Sequence, residues 1–167
     1  MKSAIFTLLT TLNLIGYAQE FNVKYIPDSL VTNANVVKRY EEMILEIKSP
    51  GKFISHERHV YTILNENGEE YSGYKSNYDK FTTIDYCSAV LYDLKGKEIK
   101  HVKKKDMPDY ADADGFSLMQ DNRYIANNFA YRIYPYTVDY EEDDTEDGVL
   151  AFSNWHPVAS AYMSVQY

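Results

Sequence analysis

A single cysteine, Cys87, is all the thiol that the 167 residues hold, so no internal disulfide can form. Glycine is scarce as well, with seven residues. None of them is spaced as a phosphate-cradling loop or as a Gly-x-Ser-x-Gly nucleophile elbow. There is no Asn-x-Ser/Thr sequon and no internal repeat. No stretch of ten or more residues carries a helical period, which argues against a helix bundle. The longest apolar run falls short of the roughly 20 residues that a membrane-spanning helix needs. Positive charge is in deficit too. At a formal net charge of -8 the average surface repels a phosphate backbone, so no nucleic-acid partner is expected.

What the sequence has in excess is tyrosine, 17 residues against 7 phenylalanines. Its ring suits a half-buried pleated surface and its hydroxyl reaches water or a partner, which favours strands. The first residues read as an address. Met1-Lys2 is a short positive start, Ala4 to Ile15 is mostly apolar, and Gly16-Tyr17-Ala18 offers small residues where a signal peptidase cuts. Residues 1–18 are therefore expected to be a signal peptide, 19–35 an irregular lead-in, and 36–167 one β-sandwich-like domain. Export through the inner membrane of a Gram-negative bacterium follows from that reading, to the periplasm, the outer envelope or the medium.

Alternation carries the rest. Met43, Leu45 and Ile47 oppose Glu42, Glu46 and Lys48, a half-buried strand with Ile44 as an exception. Ser49-Pro50-Gly51-Lys52 ends it as a turn. A second strand covers 53–64 and stops at Asn65-Glu66-Asn67-Gly68, where Asn-Gly signals a tight hairpin turn. Residues 71–81 read as irregular. Ile84, Tyr86, Val90 and Tyr92 then alternate with Asp85, Cys87, Ala89 and Leu91, followed by a turn at 94–97 and a polar strand at 98–103. Residues 106–114 read as loop and 116–125 as a further strand. Tyr136, Val138 and Tyr140 alternate with Thr137, Asp139 and Glu141, an outward-acidic strand turning at 143–148. A last strand begins at Tyr162. Short strands joined by turns imply an all-β fold, an antiparallel sandwich or a barrel-like sheet, incomplete at its C-terminus because residues 162–167 end inside a strand.

Each candidate for chemistry has a structural explanation. Asp112, Asp114, Gly115 and Asp121 fall at EF-hand spacing, but Tyr110 stands where the first acid belongs and no helix flanks the loop. The acidic run Asp139, Glu141, Glu142, Asp143, Asp144, Glu146 and Asp147 reads as a solvated hairpin tip. Six lysines between Lys95 and Lys105 read as a solvated sheet edge, a device against aggregation. His56 and His59 point to opposite faces of a strand and cannot share a zinc, and neither His101 nor His156 has a cysteine at metal-site spacing. Cys87, in mid-strand, lacks the helix terminus or histidine that would activate it. No catalytic, cofactor-binding or metal-ligating residue is assigned, and no cofactor is expected.

Several phrases nevertheless form an ordered set. They are Lys48-Ser-Pro-Gly-Lys52, Thr62-Ile-Leu-Asn-Glu-Asn-Gly68, Tyr78-Asp-Lys-Phe-Thr-Thr-Ile84, Leu91-Tyr-Asp-Leu-Lys-Gly-Lys97, Lys105-Asp106, Asp114-Gly-Phe-Ser-Leu118, Asp121-Asn-Arg123, Tyr134-Pro-Tyr-Thr-Val-Asp-Tyr140 and Trp155-His-Pro157. Together they resemble the bacterial domain of unknown function that precedes a transglutaminase-like domain in large exported proteins. The resemblance runs from about Asp28 to the end. It implies an exported all-β domain without an agreed activity. The Cys-His-Asp triad of the family's downstream domain has no counterpart here, and Cys87 belongs to the β-domain. Two roles follow as expectations. One is a non-catalytic binding or scaffolding module for a neighbouring domain, an envelope protein or a peptide. The other is an accessory domain giving substrate contacts to a transglutaminase- or protease-like enzyme.

Overall fold

The computed structural model describes residues 20–112, 121–148 and 156–166. The signal-peptide segment 1–18, together with Asp114, Gly115 and Trp155, lies outside the described residues. Among the described residues nine strands build two sheets, so the all-β expectation holds. They are β1 (Val36–Ser49), β2 (Lys52–Ile63), β3 (Gly73–Tyr78), β4 (Thr82–Tyr92), β5 (Glu98–Lys103), β6 (Asp109–Ala111), β7 (Arg123–Asn128), β8 (Tyr136–Asp147) and β9 (Met163–Val165). The larger sheet has the order β5-β4-β8-β2-β1-β9 and the smaller the order β3-β7-β6. All pairings are antiparallel except that of β9 with β1, which is parallel. Among the described residues both sheets are open rather than closed into a barrel.

The β1–β2 turn forms where proline and glycine place it. Gly51 takes a φ of 82°, a conformation that a side chain would strain, and its carbonyl accepts from Gly148 N at 2.7 Å. The turn after β4 is held by Asp93, whose Oδ1 accepts from the backbone N–H groups of Lys95 and Lys97. One face of the larger sheet carries Val36, Ile63, Ala89, Leu91, Tyr136 and Val138. Ile125 of the smaller sheet and Met107 pack against it, a cluster almost closed to water. Seven further aromatic side chains, among them Tyr61, Tyr71, Tyr74 and Tyr134, ring this cluster. The tyrosine excess thus forms the margin of the core.

Several expectations need correction. Residues 71–81 are not irregular, because β3 runs through them and pairs with β7. Asn67-Gly68 does not turn a hairpin. It lies in a 3-10 helix, Glu66–Ser72, that carries the chain from one sheet to the other. The run Asp139 to Asp147 is no hairpin tip either. It is the body of β8, a central strand paired with β2 on one side and β4 on the other. The face of β8 bearing Thr137 and Asp139 is also buried. On that side Thr62 Oγ1 and Thr137 Oγ1 share a hydrogen bond of 2.8 Å. Arg39 reaches both Thr62 and the carbonyl of Glu20, and Phe21 packs on Tyr92 with ring centroids 5.0 Å apart. The lead-in therefore supplies the cover. In β4 a bulge between Ile84 and Tyr86 breaks the simple alternation and turns Ile84 to the face of Cys87 and Ala89.

The alternating half of β1 also departs from expectation. Val36, Val37 and Lys38 are buried, but Ile44, Leu45 and Ile47 are 52%, 37% and 61% exposed. β9 pairs only with Val36 to Lys38. From Tyr40 to Ser49 the outer edge of β1 has no strand beside it among the described residues. Among those residues, too, no helix is long and apolar enough to cross a membrane, which leaves strand-built spans aside.

Candidate functional site: a cleft of tyrosines and carboxylates

Period two puts Glu57, His59 and Tyr61 on the inner face of β2 and Arg58 and His56 on the outer. The register then sets Glu57 beside Glu142 and His59 beside Tyr140. The 3-10 helix Glu66–Ser72 brings in Glu70 and Tyr71, and β3 brings Tyr74. These side chains line a cleft of about 270 Å³ between the two sheets.

Its walls are mainly aromatic. Tyr61 and Tyr71 lie with ring centroids 5.8 Å apart, and Tyr74 stacks on Tyr140 at 5.2 Å. Its polar groups are mainly acids, with His59 and Lys75 beside them. Glu142 accepts hydrogen bonds from the hydroxyls of Tyr74 and Ser76. Glu57 Oε2 lies 3.4 Å from His59 Nε2, and Glu41 Oε1 lies 3.5 Å from His59 Nδ1. Burial pushes the Tyr61 phenol up to about 12, helped by the charge of Glu41. Burial and then Glu142 push the Tyr74 phenol up further. Beneath the cleft, burial raises the Asp144 carboxyl to about 9, followed by its hydrogen bond to Glu142 and the charge there. Burial thus favours the neutral form of Asp144, while Glu142 accepts from the two hydroxyls.

The histidines fall as the strand period requires. His56 Nδ1 lies 2.5 Å from Asp143 Oδ1 on the outer face, with Glu42 at 3.7 Å and Glu141 at 3.9 Å from Nε2. His59 belongs to the inner face and the cleft. His101 is exposed on β5, and the backbone carbonyl of His156 accepts from Lys38 Nζ at 3.3 Å. Cys87 is buried, with Sγ 3.7 Å from Met107 Sδ, and burial raises its thiol pKa, opposite to the activation of a nucleophile. Among the described residues no three His, Cys, Asp or Glu side chains are grouped to hold a metal ion. Tyr110 sits in β6 against Tyr124, and Asp112 and Asp121 are exposed. The lysine stretch is the sheet edge β5 and the residues around it.

His59 and Glu142 stand out in the sequence, but the cleft does not. The signal available was the triplet Glu57, His59, Tyr61 at period two, three cleft residues on one face of one strand. Glu70, Tyr71 and Tyr74 come from segments that carry no such pattern.

Residues 49–166 match the family described as "Domain of Unknown Function with solved-structure structure (DUF3857)". No curated protein matches the chain. One similar solved structure is described as "a putative protease from Parabacteroides distasonis", with a TM-score of 0.57 and 10% sequence identity over 69% of this chain. At that identity the likeness is one of fold. The chain spans 24% of the length of that structure.

Proposed function

The chain belongs to the DUF3857 family, a domain of unknown function, and from that premise we propose that it is a non-catalytic binding and scaffolding module which holds an extended polypeptide on the open edge of β1. The observation that carries this reading is the outer edge of β1 beyond Lys38, which has no strand beside it among the described residues, with Ile44, Leu45 and Ile47 exposed along it. An edge strand presents a row of backbone donors and acceptors, and a long apolar edge is the usual platform for strand addition. The last strand, expected from the sequence to be an open edge, is three residues long and stands at the edge of the sheet beside β1.

Charge selects the occupant. Glu42 stands on β1 itself beside Glu41 and Glu46, which pair with Lys38 and Lys48, and Glu141, Glu142, Asp143 and Glu146 stand two strands away on β8. A strand in which basic residues alternate with apolar ones fits this edge, with its apolar side chains on Ile44 or on Leu45 and Ile47. The signal-peptide reading of residues 1–18 supports an exported protein. The likeness to one quarter of a structure described as a protease supports a position beside a transglutaminase- or protease-like domain. A second role, supplying substrate contacts to such a domain, draws on the same likeness.

Binding of a labelled peptide alternating lysine with valine tests this, measured by fluorescence anisotropy on the full chain. We expect saturable binding that weakens in Ile44→Lys/Ile47→Lys and is absent for the same peptide with glutamate in place of lysine. Equal binding of both peptides, or by the substituted protein, would remove the β1 edge from consideration. The intact mass of the protein from its native source tests export and neighbours together. Loss of residues 1–18 supports the first, and a mass several times larger supports the second.

A further inference from the structure

We propose that the cleft between the sheets, separate from the β1 edge, is a binding site for an alkylguanidinium group, the end of an arginine side chain. Three observations converge on that ligand. The first is charge. Glu57, Glu70 and Glu142 line the cleft, and among the described residues none of them makes an ion pair with lysine or arginine. Among the described residues Lys75 is the one lysine in the lining, and its Nζ stands 4.2 Å from the ring centroid of Tyr124 instead. The second is the wall. Tyr61, Tyr71 and Tyr74 supply π systems, which attract a cation independently of the carboxylates. The third is size. At about 270 Å³ the cleft lies just below the roughly 300–1,000 Å³ of sites for drug-sized ligands, and suits one side chain.

The alternatives fit less well. An anion would face three carboxylates. A metal ion needs converging ligands, and the described residues offer no such group. A planar guanidinium can lie along a tyrosine ring while its edge donates to a carboxylate, which is the arrangement that rings and acids together provide.

The test uses the full chain and N-acetylarginine amide, with N-acetylcitrulline amide as the neutral analogue of the same shape, both titrated by NMR. We expect the arginine compound to shift the signals of Tyr61, Tyr71 and Tyr74 and to bind about fivefold or more tightly than the citrulline compound, as a cation–π contact of ordinary strength implies. Glu57→Gln/Glu70→Gln, which leaves the Glu142 hydrogen bonds in place, should remove that preference without moving the unfolding midpoint. Ethylguanidinium separates the sources. Weaker binding than that of N-acetylarginine amide assigns the cleft to a polypeptide, and equal binding assigns it to a free cation. Equal affinity for the arginine and citrulline compounds, or an unchanged preference in the double variant, would overturn the proposal. Since Ile44→Lys/Ile47→Lys leaves the cleft intact, failure at the β1 edge and failure here are distinguishable.

Discussion

Arg58 grips Asp139 across the β2–β8 pairing with two hydrogen bonds, Nε to Oδ1 at 3.0 Å and Nη2 to Oδ2 at 2.7 Å. Asp139 is 6% exposed and Arg58 also lies over the ring of Tyr40, 5.4 Å from its centroid. The contact therefore ties β8, β2 and β1 together on the outer face of the sheet. Such paired geometry is the strong form of a charged hydrogen bond.

Arg58→Met leaves the Asp139 carboxylate buried without its cation. We expect a loss on the order of 2 kcal/mol, below the roughly 3–5 kcal/mol of a completely buried pair, since the arginine is partly solvated. Urea unfolding measures it. Asp139→Asn added to Arg58→Met should recover part of the loss, and a fully additive double variant would mean that the two residues are not coupled.

Asp144 makes stability depend on pH in an unusual direction for a carboxyl. Its pKa rises from the ordinary 3.8 to about 9 in the fold, so the folded state holds a proton that the unfolded chain releases. Its contribution is fully present below the unfolded value, declines as pH climbs through the window, and is gone above about 9. Asp144→Asn keeps the shape and removes the titration. The unfolding midpoint of the native protein should fall more steeply between about pH 5 and 9 than that of the variant, and parallel profiles would contradict the assignment.

Gly68 is required for a close approach. A Cβ at this position would stand 2.4 Å from the carbonyl oxygen of Asn35, which already accepts from Leu64 N at 2.9 Å. Gly68→Ala must push apart two pieces of backbone, at a cost of about 1–3 kcal/mol typical of overpacking. Thermal unfolding should report a lower midpoint, and an unchanged one would show that this corner is free to open.

The Cys87 thiol should be unreactive in the folded protein. It is 1% exposed and burial raises its pKa. Labelling by a thiol reagent at pH 8 across a urea series should track unfolding. Rapid labelling without urea would demand a reactive environment that the buried strand does not provide.

Local signals were legible where local physics decides. Ser49-Pro50-Gly51-Lys52 turns the chain as its residues dictate, and His56 and His59 part to opposite faces because a strand allows nothing else. The β1 alternation marks a strand, but not a half-buried one around Ile44 to Ile47. A periodic pattern shows that two faces differ, not that anything covers either of them. Asn67-Gly68 misled for the converse reason, since the glycine answers to the carbonyl of Asn35, over thirty positions away in sequence. The acidic run looked like a tip because seven acids seem unfit for a central strand. Arg58, the hydroxyls of Tyr74 and Ser76, and the raised pKa of buried Asp144 make it fit. The cleft was hidden because its walls come from β2, a 3-10 helix, β3 and β8, and only the register brings them together.

The strand β1 acquires its two partners on very different terms. β2 follows it after a two-residue turn, whereas β9 must return across nearly the whole described chain to meet Val36 to Lys38. Loop-closure entropy makes the first pairing cheap and the second expensive, and the second rewards the chain with only three paired residues. During folding this topology favours early zipping of the hairpin and late arrival of the C-terminal strand. In the native state the same asymmetry makes that seam the natural place for sub-global opening, while the ladder from β1 through β2 and β8 to β4 stays closed.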